Sequence, residues 1–228
     1  MHVVILAAGK GTRLGKITQK TPKSLAKVAG KPIIEYTLSS LPDKIKRVHI
    51  VVGHLGDRIV AHLGNKYGRL EINYIWQKKP LGTGHILKLI KPFINDRFLI
   101  INGDDIYSKK ELEKMLEHPR AFGLAKKVPE HSKYLSIKLG KGKKITGAGY
   151  PTLIELKKGA LLATGAYVLD KNIFKYKPVK LLNGEYGLPQ TILKSVKKLK
   201  IKGILMKNWL QINLPADIKK AERILSLK

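Results

Sequence analysis

The chain has 228 residues and no cysteine, and hydrophobic residues make up 43% of it. This composition predicts a fully folded chain and excludes disulfides, thiolate zinc sites, iron–sulfur clusters and cysteine nucleophiles. A chain without cysteine fits a reducing cytoplasm.

The charge balance is strongly basic, with 45 lysine and arginine residues against 16 acidic ones and a formal net charge of +29. Lysine outnumbers arginine 38 to 7, whereas specific nucleic-acid binding favours clustered arginine and aromatic residues. We therefore expect a solvated lysine surface and no specific nucleic-acid partner, with weak binding of polyanions at low salt. The lysine enrichment suits a thermophilic source.

The apolar start of the chain, residues 1–8, is too short to span a membrane and lacks the charged start of a signal peptide. It predicts a buried first strand, and no membrane partner is expected. The seven histidines are scattered, and no two of them have the i, i+3 or i, i+4 spacing of a zinc pair.

Apolar runs alternate with helical patterns as far as about residue 128, as in βαβ units of a parallel sheet. The patterns predict strands at 2–8, 47–53, 71–76, 97–103 and 121–128, and helices near 33–41, 55–64, 83–91 and 109–117. Pro32 suits the first turn of the first helix, so residues 9–31 are predicted to form a long, ordered loop.

Glycines punctuate short apolar runs from 133 to 169, which favours antiparallel strands or a small sheet insertion. A helix near 188–198, a strand near 200–207 and a helix near 215–227 complete the prediction. The fold class is α/β: a Rossmann-like, mostly parallel sheet flanked by helices, with a smaller antiparallel region. Residues 1–228 are expected to form one domain.

A glycine-rich loop follows the first predicted strand and reads Leu6-Ala7-Ala8-Gly9-Lys10-Gly11-Thr12-Arg13. Glycine lets backbone N–H groups approach a phosphate, and Arg13 and Lys23 could neutralise it. Leu14 replaces the third glycine of a dinucleotide fingerprint, and Ile17 after Gly15-Lys16 excludes a Walker A loop. A glycine turn with incidental cations is an equally good interpretation of the loop alone.

The loop followed by Pro22-Lys23 resembles the signature of the sugar-1-phosphate nucleotidylyltransferases. Gln77 with Leu81-Gly82-Thr83 is similar to the base-contacting segment of that family, and Gly103-Asp104 resembles the motif whose carboxylate holds magnesium. Thr164-Gly165, the segment 184–188 and Trp209 look like later family segments. The resemblance covers nearly the whole chain in order.

The resemblance implies the nucleotide-diphospho-sugar transferase fold, with a nucleotide-binding half at about 1–128 and an acceptor half at about 129–228. It implies Mg²⁺-dependent transfer between two small-molecule substrates, a nucleoside triphosphate, with UTP or dTTP favoured, and a sugar 1-phosphate. The implied site residues are Arg13 and Lys23 for catalysis; Leu6, Ala7, Ala8, Gly9, Gly11, Thr12, Gln77, Gly82 and Thr83 for the nucleotide; Glu155, Lys157, Thr164 and Gly165 for the sugar; and Asp104 and Asn213 for the metal.

Three departures from the family pattern bear on these roles. Ala163 stands where an asparagine often contacts the sugar, and the position of a second metal-binding acid is neutral, at Gln211 or Asn213. Glu155 and Lys157 stand in for a missing Glu-Lys-Pro segment, and an exposed strand is an alternative interpretation of them. Asp104-Asp105 could instead form a turn that caps the helix near 109.

The sequence is also compatible with other functions. The lost asparagine favours a cytidylyltransferase for phosphocholine or inositol phosphate, and the neutral Gln211 and Asn213 favour a noncatalytic nucleotide or sugar-phosphate sensor. Nucleic-acid binding is the least favoured function, because only the net charge supports it. Because the chain stops at Lys228 after a closing helix, no C-terminal β-helix with a second activity is expected. The sequence does not determine the oligomeric state, and a homo-oligomer is compatible with it.

Overall fold

The computed structural model describes residues 1–127 and 135–227, and the chain forms two compact units. The first unit contains Met1–Pro80, Ile101–Leu112 and Asn208–Lys228, and the second contains Leu81–Ile100 and Glu113–Lys207. Both units are discontinuous in sequence.

Strands and helices alternate along the described residues. The strands are β1 His2–Ala7, β2 Lys27–Val28, β3 Lys31–Pro32, β4 Arg47–Val52, β5 Lys66–Tyr67, β6 Leu70–Trp76, β7 Phe98–Asn102, β8 Asp105–Ile106, β9 Ala121–Lys127, β10 Ser136–Leu139, β11 Ile145–Gly149, β12 Ala160–Leu169, β13 Val179–Lys180, β14 Tyr186–Gly187, β15 Lys202–Leu205 and β16 Leu210–Gln211. The α-helices are α1 Ile17–Lys20, α2 Ile33–Ser39, α3 Gly56–Leu63, α4 Ile86–Ile90, α5 Lys109–Leu116, α6 Leu153–Lys158, α7 Leu188–Leu199 and α8 Pro215–Ser226. Short 3-10 helices cover Thr12–Leu14, Lys23–Leu25, Thr83–His85, Lys91–Phe93, Lys141–Lys143 and Lys171–Lys175. Among the helices described, none has the length and hydrophobicity of a membrane span.

Three parallel strands form the centre of the first unit, in the order β1, β4, β6. β1 and β4 are runs of valine and isoleucine that are almost entirely buried, and β-branched side chains pack well on a pleated surface. β5 pairs antiparallel with the outer edge of β6. Because β1, β4 and β6 are parallel, the residues that follow them lie at one edge, where α/β sheets bind ligands.

A second cluster of buried side chains in the first unit supports the segment after β1. It contains Leu14, Ala26, Val28, Ile33, Ile106, Ile212 and Ala221. Its members come from the glycine-loop segment, β2, α2, β8, the stretch after β16, and α8. Burial of these apolar side chains therefore draws three distant stretches of sequence together.

The second unit is built around the long strand β12. β12 pairs antiparallel with β7 on one side and with β9 on the other, and β15 pairs parallel with β9. β10 and β11 form an antiparallel hairpin, and β13 pairs antiparallel with β14 just before α7.

These observations confirm the predicted α/β class, with parallel strands, flanking helices and an antiparallel region. The strands expected at 2–8, 47–53, 71–76 and 97–103, and the helices expected near 33–41, 55–64, 109–117, 188–198 and 215–227, are present with ends shifted by at most two residues. The helix expected at 83–91 is a 3-10 turn followed by α4, and the strand expected at 200–207 is shorter, at Lys202–Leu205. The end of the strand predicted at 121–128 lies outside the described residues.

Two local predictions are wrong. Residues 9–31 are not a loop, because they contain two 3-10 turns, α1 and the β2–β3 hairpin, and Pro32 precedes α2 instead of lying in its first turn. Residues 153–158 form a helix and not an antiparallel strand. Thr152 and Glu155 cap that helix reciprocally, and this Thr-x-x-Glu signal outweighs the neighbouring glycines.

Candidate active site

The glycine-rich loop after β1 approaches the segment that carries Lys23. Gly11 has a positive φ of 65° and immediately precedes the helix Thr12–Leu14. A Cβ atom on Gly11 would lie 2.6 Å from Cβ of Lys23, and the Thr18 hydroxyl donates to the Gly11 carbonyl at 2.9 Å. Glycine therefore permits both the left-handed backbone and the close approach.

The other predicted nucleotide contacts of this loop differ in exposure. Leu6 and Ala7 are buried at the end of β1, whereas Gly9, Thr12 and Arg13 are exposed. A Cβ on Gly9 would meet no atom within 4 Å, so the space around this glycine is open. The exposed part of the loop leaves backbone N–H groups and the Arg13 guanidinium accessible to an anion.

Gln77 lies beside the glycine-rich loop, at the carboxyl edge of the parallel strands. Its backbone N–H donates to the Val52 carbonyl at 2.8 Å, and the residue is 8% exposed. A Cβ on Gly53 would lie 3.0 Å from the carbonyl oxygen of Ala8 and 3.2 Å from that of Gln77. Gly53 thus lets the ends of β1 and β6 approach across β4, and sequence reasoning had not assigned it a site role.

Lys23 joins two of the predicted metal ligands. Its Nζ atom lies 2.7 Å from Oδ2 of Asp104 and donates to Oδ1 of Asn213 at 3.1 Å. Lys23 is 9% exposed, and the side chain of Asp104 is 30% exposed. The structure therefore brings together three predicted site residues that are separated by up to 190 positions in sequence.

Asp105 follows Asp104 but is almost completely buried, at 3% exposure. Its Oδ2 accepts hydrogen bonds from Asn102 Nδ2 at 3.2 Å and from Trp209 Nε1 at 3.3 Å, and its Oδ1 accepts from the Ile212 N–H at 3.3 Å. Burial and the neighbouring charge of Asp104 raise the pKa of Asp105 to about 7. The acidic pair does not cap α5, since Asp104 binds Lys23 and Asp105 lies in β8.

Of the two neutral residues at the end of β16 and just after it, Asn213 and not Gln211 has its side chain in contact with Lys23. Gln211 pairs with Asp105 in the β16–β8 ladder, whereas the Asn213 side chain contacts Lys23. The N–H groups of Asn213 and Leu214 both donate to Oδ2 of Asp217 at 2.8 Å. Asn213 is therefore the neutral residue that lies at the predicted metal position.

The donor set at this position suits magnesium in part. Asp104 supplies one carboxylate and Asn213 one amide oxygen, and both are hard oxygen ligands. Magnesium commonly takes one or two protein carboxylates and completes its shell with water and substrate phosphates. Within residues 1–127 and 135–227, no three histidine, cysteine, aspartate or glutamate side chains converge as a metal site, so the phosphates would have to supply further ligands.

Gly82 and Thr83, predicted to contact the base, pack against their own chain in the second unit. Gly82 has a φ of 86°, and a Cβ there would lie 2.6 Å from the carbonyl oxygen of Tyr186. The Thr83 hydroxyl accepts a hydrogen bond from the Leu188 N–H at 3.2 Å. A structural requirement thus accounts for the glycine at position 82, whatever it binds.

Thr164 and Gly165, predicted on the acceptor side, are both buried within β12. The Thr164 hydroxyl contacts the sulfur of Met206 at 3.2 Å. Gly165 has a φ of 72° and lies where the pairing of β12 with β9 shifts register, between Ala163 and Tyr167. A bulge of this kind redirects the strand.

Glu155 and Lys157 lie on α6 in the second unit. The Glu155 carboxylate accepts from the Ser136 hydroxyl at 2.6 Å and from the Thr152 N–H at 2.8 Å. The hydrogen bond from Ser136 is the largest cause that lowers the pKa of Glu155. Lys157 is exposed. Glu155 is thus engaged in capping its own helix and in holding the β10 strand.

Comparison with known proteins identifies the family. The profile of the nucleotidyl transferase family, NTP_transferase, matches residues 2–203. The chain belongs to this family. Among the relatives of this nucleotidyl transferase, the bifunctional protein GlmU of Methanococcus maripaludis is 33% identical over 221 residues, which cover 96% of the chain and 53% of GlmU. The chain spans about half the length of the curated GlmU relatives that it matches.

Two solved structures share the fold of this nucleotidyl transferase. One, from Bacillus anthracis, is provisionally assigned as a glucose-1-phosphate thymidylyltransferase in complex with a sucrose. It has a TM-score of 0.80 and 25% identity, over 98% of this chain and 94% of that one. The inositol-1-phosphate CTP transferase of T. maritima has a TM-score of 0.78 and 22% identity, over 99% and 94% of the two chains.

Proposed function

We propose that this nucleotidyl transferase joins a nucleoside triphosphate, UTP or dTTP, to a sugar 1-phosphate in a magnesium-dependent reaction. A phosphate oxygen of the sugar phosphate attacks the α-phosphorus, the bond from the α-phosphorus to the bridging oxygen breaks, and pyrophosphate leaves with the electron pair. The products are a nucleotide-diphosphate sugar and pyrophosphate. The absence of cysteine suits a cytoplasmic setting for this reaction.

The observation that carries the proposal is the contact of Lys23 with Asp104 and Asn213 beside the glycine-rich loop. The two substrates together bear about six negative charges, so catalysis needs positioning and charge neutralisation more than acid–base groups. Lys23 packs against Gly11, the exposed Arg13 follows Gly11 by two residues, and Asp104 supplies the acid for a metal.

Each residue has a distinct part in this proposal. The backbone N–H groups around Gly9 and Gly11 bind phosphate oxygens, and Arg13 stabilises the leaving pyrophosphate through its forked donors. Lys23 exchanges its contact with Asp104 for one with the α-phosphate. A bound magnesium ion, held by Asp104 and Asn213, would supply additional charge neutralisation at the phosphates.

Base choice rests on Gln77 in this proposal. Its side-chain amide offers one donor and one acceptor at the carboxyl edge of the sheet, which suits the edge of uracil or thymine. The thymidylyltransferase assignment of the Bacillus anthracis structure is compatible with that preference. So is the name of a relative from Haloferax volcanii, the UTP–glucose-1-phosphate uridylyltransferase AglF, which is 35% identical over 109 residues.

A cytidylyltransferase for a small phosphorylated alcohol is the second candidate, because several predicted sugar contacts are already engaged. The Thr164 hydroxyl is buried against Met206, Glu155 caps α6, and Ala163 has no amide. A smaller acceptor, such as phosphocholine or inositol phosphate, requires fewer hydroxyl contacts than a hexose does.

Pyrophosphate release by the purified protein with Mg²⁺ tests both candidates. UTP, dTTP, CTP, GTP and ATP are each combined with glucose 1-phosphate, N-acetylglucosamine 1-phosphate, phosphocholine and inositol 1-phosphate. We expect release with UTP or dTTP that requires a sugar phosphate, while release with CTP and a phosphorylated alcohol would favour the second candidate. Nucleotide binding without release across the panel would refute both and favour a sensor.

The Asp104→Asn variant tests the metal assignment in the same assay. We expect it to need at least tenfold more Mg²⁺ for half-maximal rate, because one carboxylate charge is lost. Asp57→Asn changes an exposed aspartate in α3 and is the matched control. An unchanged Mg²⁺ response in Asp104→Asn would contradict the assignment.

A further inference from the structure

Asp105 is the most deeply buried carboxylate beside the candidate site, and the proposed reaction does not use it. Its two oxygens accept three hydrogen bonds, from Asn102, Trp209 and the Ile212 backbone. Two of these donors belong to the segment 209–212, which begins 104 positions later in the chain and ends immediately before Asn213.

The contacts of Asp105 fix the path of that segment. Gln211 is opposite Asp105 in the β16–β8 ladder, and the Ile212 N–H binds Oδ1 of the Asp105 carboxylate. One residue later, the Asn213 N–H binds Asp217. The backbone that carries Asn213 is therefore held on both sides, which restricts its side chain to the position where it meets Lys23 at 3.1 Å.

The backbone of Asp105 is anchored as well. The Thr37 hydroxyl, from α2, donates to the Asp105 carbonyl oxygen at 2.9 Å, and Thr37 is fully buried. Because its backbone is fixed in this way, the Asp105 carboxylate can orient Ile212 and Asn213, which follow β16.

Stability alone gives a poor explanation of a carboxylate at this position. A buried carboxylate loses its hydration, and well-packed apolar residues commonly stabilise a core at least as well. A carboxylate accepts three directed hydrogen bonds here, whereas an apolar side chain would accept none.

We propose that Asp105 is a positioning residue for the nucleotidyl transfer described above: its carboxylate holds residues 209–212 so that the Asn213 side chain meets Lys23, which also contacts Asp104. This inference rests on the proposed function. Asp105 itself contacts neither substrate nor metal, and it acts through Asn213. The role corresponds to that of the outer residues that orient metal ligands.

Two substitutions test this role. Asp105→Asn keeps the volume but leaves one oxygen, which can accept either from the Ile212 N–H or from Asn102 and Trp209, so in either orientation segment 209–212 loses one of its two contacts with residue 105 and its backbone is freer to open. Trp209→Phe removes a single donor and leaves an aromatic ring. The control is Asp170→Asn in the second unit, where the carboxylate accepts from Arg120 at 2.7 Å and from the Asn172 N–H at 2.9 Å.

Three readouts separate positioning from stability: kcat, the Mg²⁺ concentration for half-maximal rate, and the melting temperature. Loss of an outer-shell partner costs about 10–100-fold in metal affinity or activity, and we expect Asp105→Asn to fall in that range. Trp209→Phe should show a smaller change in the same direction, about tenfold or less. Asp170→Asn should lower the melting temperature and leave the Mg²⁺ response at the wild-type value.

Hydrogen exchange measures how strongly the backbone amides of residues 209–212 are protected, and it does not depend on turnover. We expect faster exchange of the Ile212 amide in Asp105→Asn than in the wild type, and no change there in Asp170→Asn. An unchanged Ile212 amide, or wild-type kcat and Mg²⁺ response in both site variants, would overturn the role of Asp105. If the wild type fails the substrate panel, the proposed function is refuted, and exchange still tests the geometry.

Discussion

Replacing Lys23 by methionine removes the ammonium that joins Asp104 to Asn213 while keeping a long, unbranched side chain. Breaking a fully buried ion pair costs about 3–5 kcal/mol, and an exposed pair contributes about 0–1 kcal/mol. Lys23 is 9% exposed and the Asp104 side chain 30%, so the pair lies between these limits. We expect a loss of about 2 kcal/mol in the free energy of unfolding.

The same substitution should lower activity by more than its effect on stability explains. Removing one preorganised donor that stabilises transition-state charge costs about 10²–10³-fold in kcat. At about 2–4 °C per kcal/mol for a chain of this size, the protein should remain folded at 25 °C. The lower kcat would then reflect the loss of a catalytic contact and not unfolding of the protein.

The assays are denaturant unfolding and pyrophosphate release, with Lys27→Met as the matched control. Lys27 is an exposed lysine in β2, four positions further along the chain, and its replacement should leave both quantities near the wild-type values. If Lys23→Met loses no more stability than Lys27→Met, the contact with Asp104 is not formed as described. If stability falls but kcat stays within about twofold, Lys23 is a structural counter-ion and its catalytic assignment is refuted.

Three further predictions concern other parts of the molecule. Gly82→Ala should destabilise the second unit by at least about 1 kcal/mol, because its φ is 86° and the new Cβ would lie 2.6 Å from the Tyr186 carbonyl oxygen; thermal unfolding with an unchanged midpoint would contradict this. Arg13→Ala should lower kcat by about 10²-fold or more with an unchanged melting temperature, since Arg13 is exposed, and full activity would exclude its role at the leaving pyrophosphate. Burial, with a smaller effect of His2, lowers the pKa of His49 below its ordinary 6.5, so the unfolded chain takes up this proton first and stability should fall as the pH drops below about 6.5. Denaturant unfolding between pH 7.5 and 5.5 should show a smaller decline for His49→Leu, and an equal decline would refute the assignment to His49.

Local sequence patterns were sufficient for the elements of the parallel sheet and for the glycine-rich loop. The valine and isoleucine runs of β1 and β4 indicate buried strands because backbone geometry and side-chain burial act over a few residues. The glycines of the loop are informative for the same reason. Gly11 has a left-handed backbone, which nearly every other residue disfavours.

The helix at 153–158 has a local signal in the sequence. Thr152 and Glu155 have the spacing of a capping box, but the six residues 153–158 are too short a pattern to separate helix from strand. The tertiary structure decides here, because Glu155 also accepts a hydrogen bond from Ser136, which belongs to a different element.

The chemistry at Lys23, Asp104 and Asn213 could be predicted as separate residues but not as an arrangement. Sequence alone left Gln211 as an alternative to Asn213 and offered Asp105 only a capping turn, because the partners of the Asn213 and Asp105 side chains lie more than 100 positions away. The sequence by itself determined the strands of the parallel sheet, the longer helices and the glycine turn, where each signal spans a few neighbouring residues. Only the tertiary structure decided which distant side chains meet, since packing of the apolar cluster around Ile106 and Ile212 brings their segments together.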